Sequence, residues 1–220
     1  MNEKAFLGIV SGLPVFTARQ VGSLVGAGYA KVYLHRLAAR GSVHRLGRGF
    51  YTVHGDPMVW ATHVWYPSYI SLWHAFSHHG VTTQLPALIE VMAARNGSLR
   101  PVEFIRTREL WGYSAVTHGD FRIFMADLEK AVLDAIVTGR VPEDDIVAAI
   151  GKCDDGKLER YALKMDVATM KKTGYLAERA GMEMARLRKR ILSDRNYVRL
   201  AGAKAGNGWR VKDDRNPDGG

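Results

Sequence analysis

The sequence predicts an α+β protein: an N-terminal winged helix-turn-helix followed by a mixed α/β and helical C-terminal domain. Three observations carry that class. Between residues 16 and 53, two stretches of helical spacing parted by glycines lead into apolar alternation around a glycine turn. Strand-like runs then cluster between residues 89 and 125, and the last third reads mainly as helix.

Thr17 can cap a helix over Ala18–Val25, its hydroxyl accepting an orphan backbone N–H. Gly26-Ala27-Gly28 breaks that helix. A second runs from about Tyr29 to Arg40, with Ala30, Leu34 and Leu37 sharing one face. Gly41 stops it, where a left-handed backbone costs a glycine little. Ser42-Val43-His44-Arg45-Leu46, a Gly47-Arg48-Gly49 turn and Phe50-Tyr51-Thr52-Val53 then read as a hairpin.

If Ala30, Leu34 and Leu37 face a core, then Tyr29, Lys31, Val32, His35 and Arg36 project from the opposite side. The DNA major groove admits one α-helix whose side chains reach base edges while flanking cations hold phosphates. Arg36 can pair bidentately with a guanine, whereas Lys31, a point charge, suits a phosphate. Arg45 and Arg48 lie on the hairpin, where a wing follows the backbone or enters the minor groove. The expected contacts with double-stranded DNA are therefore Tyr29, Lys31, His35, Arg36, Arg45 and Arg48. The plainer alternative is a basic helical hairpin with a merely solvated surface.

Charge sharpens this expectation. The net charge is +9, unevenly placed. Residues 1–56 hold seven Lys/Arg against two Asp/Glu, residues 57–156 eight against twelve, and residues 157–220 sixteen against eight. Basic ends favour a polyanion, because each phosphate contact releases condensed counterions. An acidic protein surface is the alternative partner for the C-terminal part. A hydrophobic fraction of 47% is ordinary for a globular chain. The single cysteine, Cys153, excludes an internal disulfide and fits a reducing cytoplasm. No apolar run approaches a membrane span, and Met1-Asn2-Glu3-Lys4 opens no signal peptide.

His54-Gly55-Asp56-Pro57 reads as a turn and a boundary between a DNA-binding domain, 1–56, and a second domain, 57–212. A helix is expected from Tyr66 through Phe76, with Pro67 or Ser68 near its start, Ile70, Trp73 and Phe76 or Ser77 as its apolar stripe, and Gly80 at its stop. Strands are expected at Ile89–Ala94, Val102–Arg106 and Phe121–Met125, and Asp127 can cap a helix over Leu128–Val137. Helices follow at Glu143–Ile150, Lys157–Leu163, Val167–Lys172, Tyr175–Met182 and Glu183–Leu192, with Glu183 able to pair with Arg186. Trp209-Arg210-Val211 can add a strand, and residues 213–220 read as a flexible tail.

The segment Arg40-Gly41-Ser42-Val43-His44-Arg45-Leu46-Gly47-Arg48-Gly49-Phe50-Tyr51 resembles the wing of the AbiEi antitoxin family, from abortive-infection type IV toxin–antitoxin systems. Pro67-Ser68-Tyr69-Ile70-Ser71-Leu72-Trp73 with His79-Gly80-Val81-Thr82-Thr83-Gln84-Leu85-Pro86 resembles that family's next block. Leu128-Glu129-Lys130-Ala131-Val132-Leu133-Asp134 looks like its later Glu-Lys-Ala helix, with Leu128 where a proline is common. The resemblance implies a transcriptional autorepressor that binds inverted repeats in its own promoter. It also implies neutralisation of a nucleotidyltransferase-type toxin through the C-terminal region. On the matching positions, the family's DNA contacts fall on Lys31, Arg36, Arg45 and Arg48.

No catalytic or metal site and no cofactor is expected. Gly97-Ser98 is followed by no Asp-x-Asp pair, so the magnesium site of a nucleotidyltransferase is missing, and there is no phosphate loop or nucleophile elbow. His74 and His78 lie one turn apart, but Ala75-Phe76-Ser77 between them supplies no glutamate base. Glu90 and Glu103 on strands are the residues a metal-dependent nuclease would use. The other alternative is a stand-alone winged-helix regulator with a ligand- or protein-sensing C-terminal domain.

Overall fold

The computed structural model describes residues 1–47, 49–204 and 206–213. Residues 1–70 and 86–125 form one compact unit, and residues 71–85 and 126–220 a second. Arg48 and most of the expected tail, residues 214–220, lie outside the described residues.

The first unit opens with a helix the sequence reading did not anticipate, α1 (Glu3–Val10), capped by Asn2, whose side chain accepts the Ala5 N–H. Only two of its eight residues, Phe6 and Val10, are buried, too sparse a stripe to announce a helix. A short strand, β1 (Phe16–Thr17), leads to α2 (Ala18–Val25). Thr17 caps α2 as expected and the cap is reciprocal, since Gln20 reaches back to the Thr17 N–H at 2.7 Å. Gly26, at φ 95°, is the whole break, because α3 (Ala27–Ala39) starts at the next residue, two earlier than expected. Gly41, at φ 73°, ends α3 in a Schellman turn: its N–H reaches the Ala38 carbonyl, and the Ser42 N–H reaches that of Leu37.

The hairpin follows as β2 (His44–Gly47) and β3 (Phe50–Thr52), antiparallel, with a bulge between Arg45 and Gly47. β1 pairs with the free edge of β3, making a three-stranded wing sheet in the order β1-β3-β2. The core beneath holds Phe6, Phe16, Val21, Ala30, Tyr33, Leu34, Leu37 and Val43. Phe6 stands edge-on to Phe16 at 5.9 Å and to Tyr33 at 5.3 Å.

Glu3 ties α1 to the end of α3, accepting from the Ser42 hydroxyl at 2.6 Å and from Arg40 at 3.1 Å. The Ser42 hydrogen bond, helped by Arg40, holds its carboxyl below the usual carboxylate range. A carboxyl depressed by folding stabilises at pH above its unfolded value, and that stabilisation is lost as pH falls through the folded one. Glu3→Gln should therefore flatten the acid side of the melting-temperature profile while changing it less at neutral pH. Thermal melts of both proteins across the acid range check this, and parallel profiles would contradict it.

Past α4 (Pro57–Ala61), which Asp56 caps, the unit is completed by a six-stranded mixed sheet. Its strands are β4 (Ser68–Ile70), β5 (Ile89–Ala93), β6 (Gly97–Leu99), β7 (Val102–Arg106), β8 (Tyr113–His118) and β9 (Phe121–Ala126), in the order β6-β7-β5-β4-β9-β8. The three expected strands are β5, β7 and β9. The expected helix from Tyr66 is corrected: Ser68-Tyr69-Ile70 is a strand, buried throughout and paired with β5 on one side and β9 on the other. Tertiary pairing on both edges overrides the local pattern there.

Helix begins only at α5 (Leu72–His78), and Gly80, at φ 70°, follows its end. The apolar stripe shifts accordingly, to Leu72, Ala75 and Phe76, with Trp73 half-buried. The second unit adds α6 (Leu128–Thr138), α7 (Glu143–Ile150), α8 (Asp155–Ala162), α9 (Val167–Arg179) and α10 (Ala185–Ile191). It ends on a parallel pair, β10 (Val198–Arg199) and β11 (Val211–Lys212). Asp127 precedes α6 but its side chain makes no capping bond; it is held instead by the Tyr161 hydroxyl at 2.8 Å and Lys157 at 3.2 Å.

Two expected helices fuse into α9, because Gly174 does not interrupt it. A Cβ at Gly174 would stand 2.1 Å from the Trp209 ring, so the glycine serves close packing rather than a turn. Gly181, at φ 80°, follows the end of α9. The expected Glu183–Arg186 pair gives way to Glu159, whose carboxylate accepts the N–H groups of Arg186 and Leu187 at the start of α10.

Candidate nucleic-acid interface

α3 sorts its side chains by spacing alone. Ala30, Tyr33, Leu34 and Leu37 are buried, while Tyr29, Lys31, Val32, His35 and Arg36 are exposed. On a helical period, Val32 and His35 sit at the centre of the open face, with Lys31 on one flank and Arg36 and Tyr29 on the other. The sequence reading placed these five outward, and the structure puts them there. The Tyr33 ring packs inward beside them, and burial pushes its phenol pKa up.

Arg36 is not loose. Its Nη1 donates to the Tyr29 hydroxyl at 3.2 Å, and its guanidinium carbon lies 5.9 Å from the Tyr29 ring centroid. One of five donors is thus spent on holding the fork, leaving the others for a ligand. Lys31 and His35 have no ion-pair partner among the described residues. Arg40, by contrast, is committed to Glu3.

On the wing, Arg45 is exposed and stands opposite Tyr51 across the β2–β3 pair. A Cβ at Gly47 would meet the Leu99 methyl at 2.9 Å, so the turn end of the wing lies against the edge strand β6. Arg100, one residue beyond Leu99 in the turn after β6, is an exposed cation that sequence reasoning missed. Arg48 lies outside the described residues.

The other residues weighed for chemistry fall elsewhere. Glu90 and Glu103 do stand opposite each other, in register on the parallel strands β5 and β7. Among the described residues, no group of three His, Cys, Asp or Glu side chains is arranged to hold a metal ion. His79 bonds the Ala126 carbonyl through Nε2 at 2.8 Å, and burial pushes His74 and His78 down. Burial also raises the Cys153 thiol to about 12, so it stays protonated and a poor nucleophile.

These elements define a winged helix-turn-helix with a basic, solvent-facing recognition helix. Residues 9–54 match the family model described as "Transcriptional regulator, AbiEi antitoxin". That match bears out, over this segment, the resemblance read from the sequence, and it supports a regulator or antitoxin role with DNA binding. The fold is similar to the crystal structure of the RV2827C protein from Mycobacterium tuberculosis, with a TM-score of 0.59 and 17% identity over 94% of this chain and 90% of that one. At that identity the likeness concerns the fold alone. A search of curated proteins matches none. Among the described residues no helix is long and apolar enough to cross a membrane.

Proposed function

We propose that this chain is a DNA-binding antitoxin and transcriptional autorepressor of a toxin–antitoxin operon, counteracting a nucleotidyltransferase-type toxin in the cytoplasm. One observation carries the reading: the exposed Lys31–His35–Arg36 face of α3, within the segment similar to AbiEi regulators. In this reading residues 1–56 are the DNA-binding domain and residues 57–212 the antitoxin-like domain. Val32 and His35 meet base edges in the major groove, Arg36 reads a guanine from the fork that Tyr29 steadies, and Lys31 holds a phosphate. Arg45 and Arg48 follow the backbone or the minor groove beside them. An inverted repeat takes two such winged helices. The chain itself performs no catalytic step.

The test joins both halves of the claim. Co-expression with the product of the neighbouring reading frame should restore growth that this product alone arrests, and the chain should repress a reporter driven by the operon's promoter. Repression without rescue would remove the antitoxin role. Loss of both would remove the reading altogether. A second reading, a stand-alone regulator with a sensing C-terminal part, is favoured by a cleft of about 690 Å³ in the second unit.

A further inference from the structure

That cleft is built within the second unit from the end of α6, the start of α7, one face of α9 and residues 199–202. Lys172 and Arg179 recur at helical spacing along its α9 wall, on either side of the fully buried Leu176. The two cations differ in what they face. Arg179 is neutralised, donating to Glu143 at 3.0 Å and to Asp144 at 2.9 Å. Lys172 and, from β10, Arg199 have no carboxylate partner among the described residues. Glu143 spends only one oxygen on Arg179; its Oε1 is buried and accepts no hydrogen bond. A buried acceptor without a donor is uncommon and asks for a partner. Burial, with Asp144 and Asp213 nearby, also holds Glu143 above the ordinary carboxylate range against the pull of Arg179.

We propose that this cleft binds a small organic anion whose other end donates hydrogen bonds. Its phosphate or carboxylate is met by Lys172 and Arg199, its body lies over Pro142 and Leu200, and its donor satisfies Glu143 Oε1. A volume of about 690 Å³ lies within the range of small-molecule sites. The inference stands independently of any toxin, since it rests on the second unit alone.

Calorimetric titration of the full chain tests it. The four nucleoside 5′-monophosphates serve as donor-bearing phosphates, N-acetyltryptophan and N-acetylglutamine as donor-bearing carboxylates, and inorganic phosphate and succinate as anions without the donor head. At least one donor-bearing probe should bind with a Kd of about 1 mM or tighter. The two probe sets decide between phosphate and carboxylate. Lys172→Ala with Arg199→Ala should weaken binding at least about tenfold, with an unchanged melting temperature. Glu143→Leu should remove the preference for donor-bearing over bare anions. Should Glu143→Leu fail to fold, the Lys172/Arg199 double variant decides alone. Binding by no probe, equal binding of phosphate or succinate, or undiminished binding by the double variant would overturn the proposal.

Discussion

Arg36→Ala is expected, under the proposed function, to weaken binding to the operon's own promoter by roughly tenfold to a hundredfold at fixed salt. The magnitude follows from what a bidentate arginine–guanine contact discriminates, about 1–3 kcal/mol. The geometry supports the upper part of that range, because the Tyr29 hydroxyl already orients the guanidinium and less freedom is lost on docking. Charge and shape can be separated. Arg36→Lys keeps the cation but loses the fork, so it should recover the salt dependence without the affinity. Tyr29→Phe should cost less than Arg36→Ala, since it frees the fork without removing it. Gel-shift titrations at several salt concentrations read all three. Unchanged affinity in Arg36→Ala would place the interface elsewhere.

Lys130→Met is expected to destabilise the second unit by about 3–5 kcal/mol, the usual effect of leaving one member of a buried ion pair unpaired. Lys130 is fully buried on α6 and pairs with Asp134 one turn on, whose other oxygen accepts from the Ser71 hydroxyl at 2.8 Å. Removing the lysine takes the adjacent cation from a carboxylate that is 2% exposed. The melting temperature should fall by roughly 10 °C. Lys130→Met combined with Asp134→Leu should recover much of that loss, because two apolar side chains carry no desolvation debt. A single variant melting with the parent, or a double variant no better than the single, would contradict the account. DNA binding through α3 supplies the contrasting readout, as neither residue belongs to that face.

The two predictions draw on different kinds of legibility. The recognition helix was readable because everything that shapes it is local. Thr17 and Gln20 cap within one turn, Gly41 turns the chain where it stands, and the spacing of Ala30, Leu34 and Leu37 assigns every outward residue by default. The Lys130–Asp134 pair was not. In the sequence the same residues mark only a helix, and charges at that spacing usually lie on a solvated face. Only the packing that covers α6 turns them inward. Tyr69 misled for a related reason: its neighbourhood has helical cues, but β5 and β9 claim its backbone from either side.

By itself, then, the sequence determined the winged helix-turn-helix, its outward face and the basic bias of the chain's two ends. Those properties reside in residues a turn or two apart, where backbone sterics and side-chain spacing act alone. The tertiary structure decided the rest: that Ser68–Ile70 is a strand, that α9 runs through Gly174 to admit Trp209, and that Leu99 of β6 meets Gly47 of the wing. It also decided that Lys172 and Arg199 share a cleft with a buried carboxylate oxygen. Each of these joins residues distant in the chain, and no local propensity records which surfaces will be covered when distant segments pack.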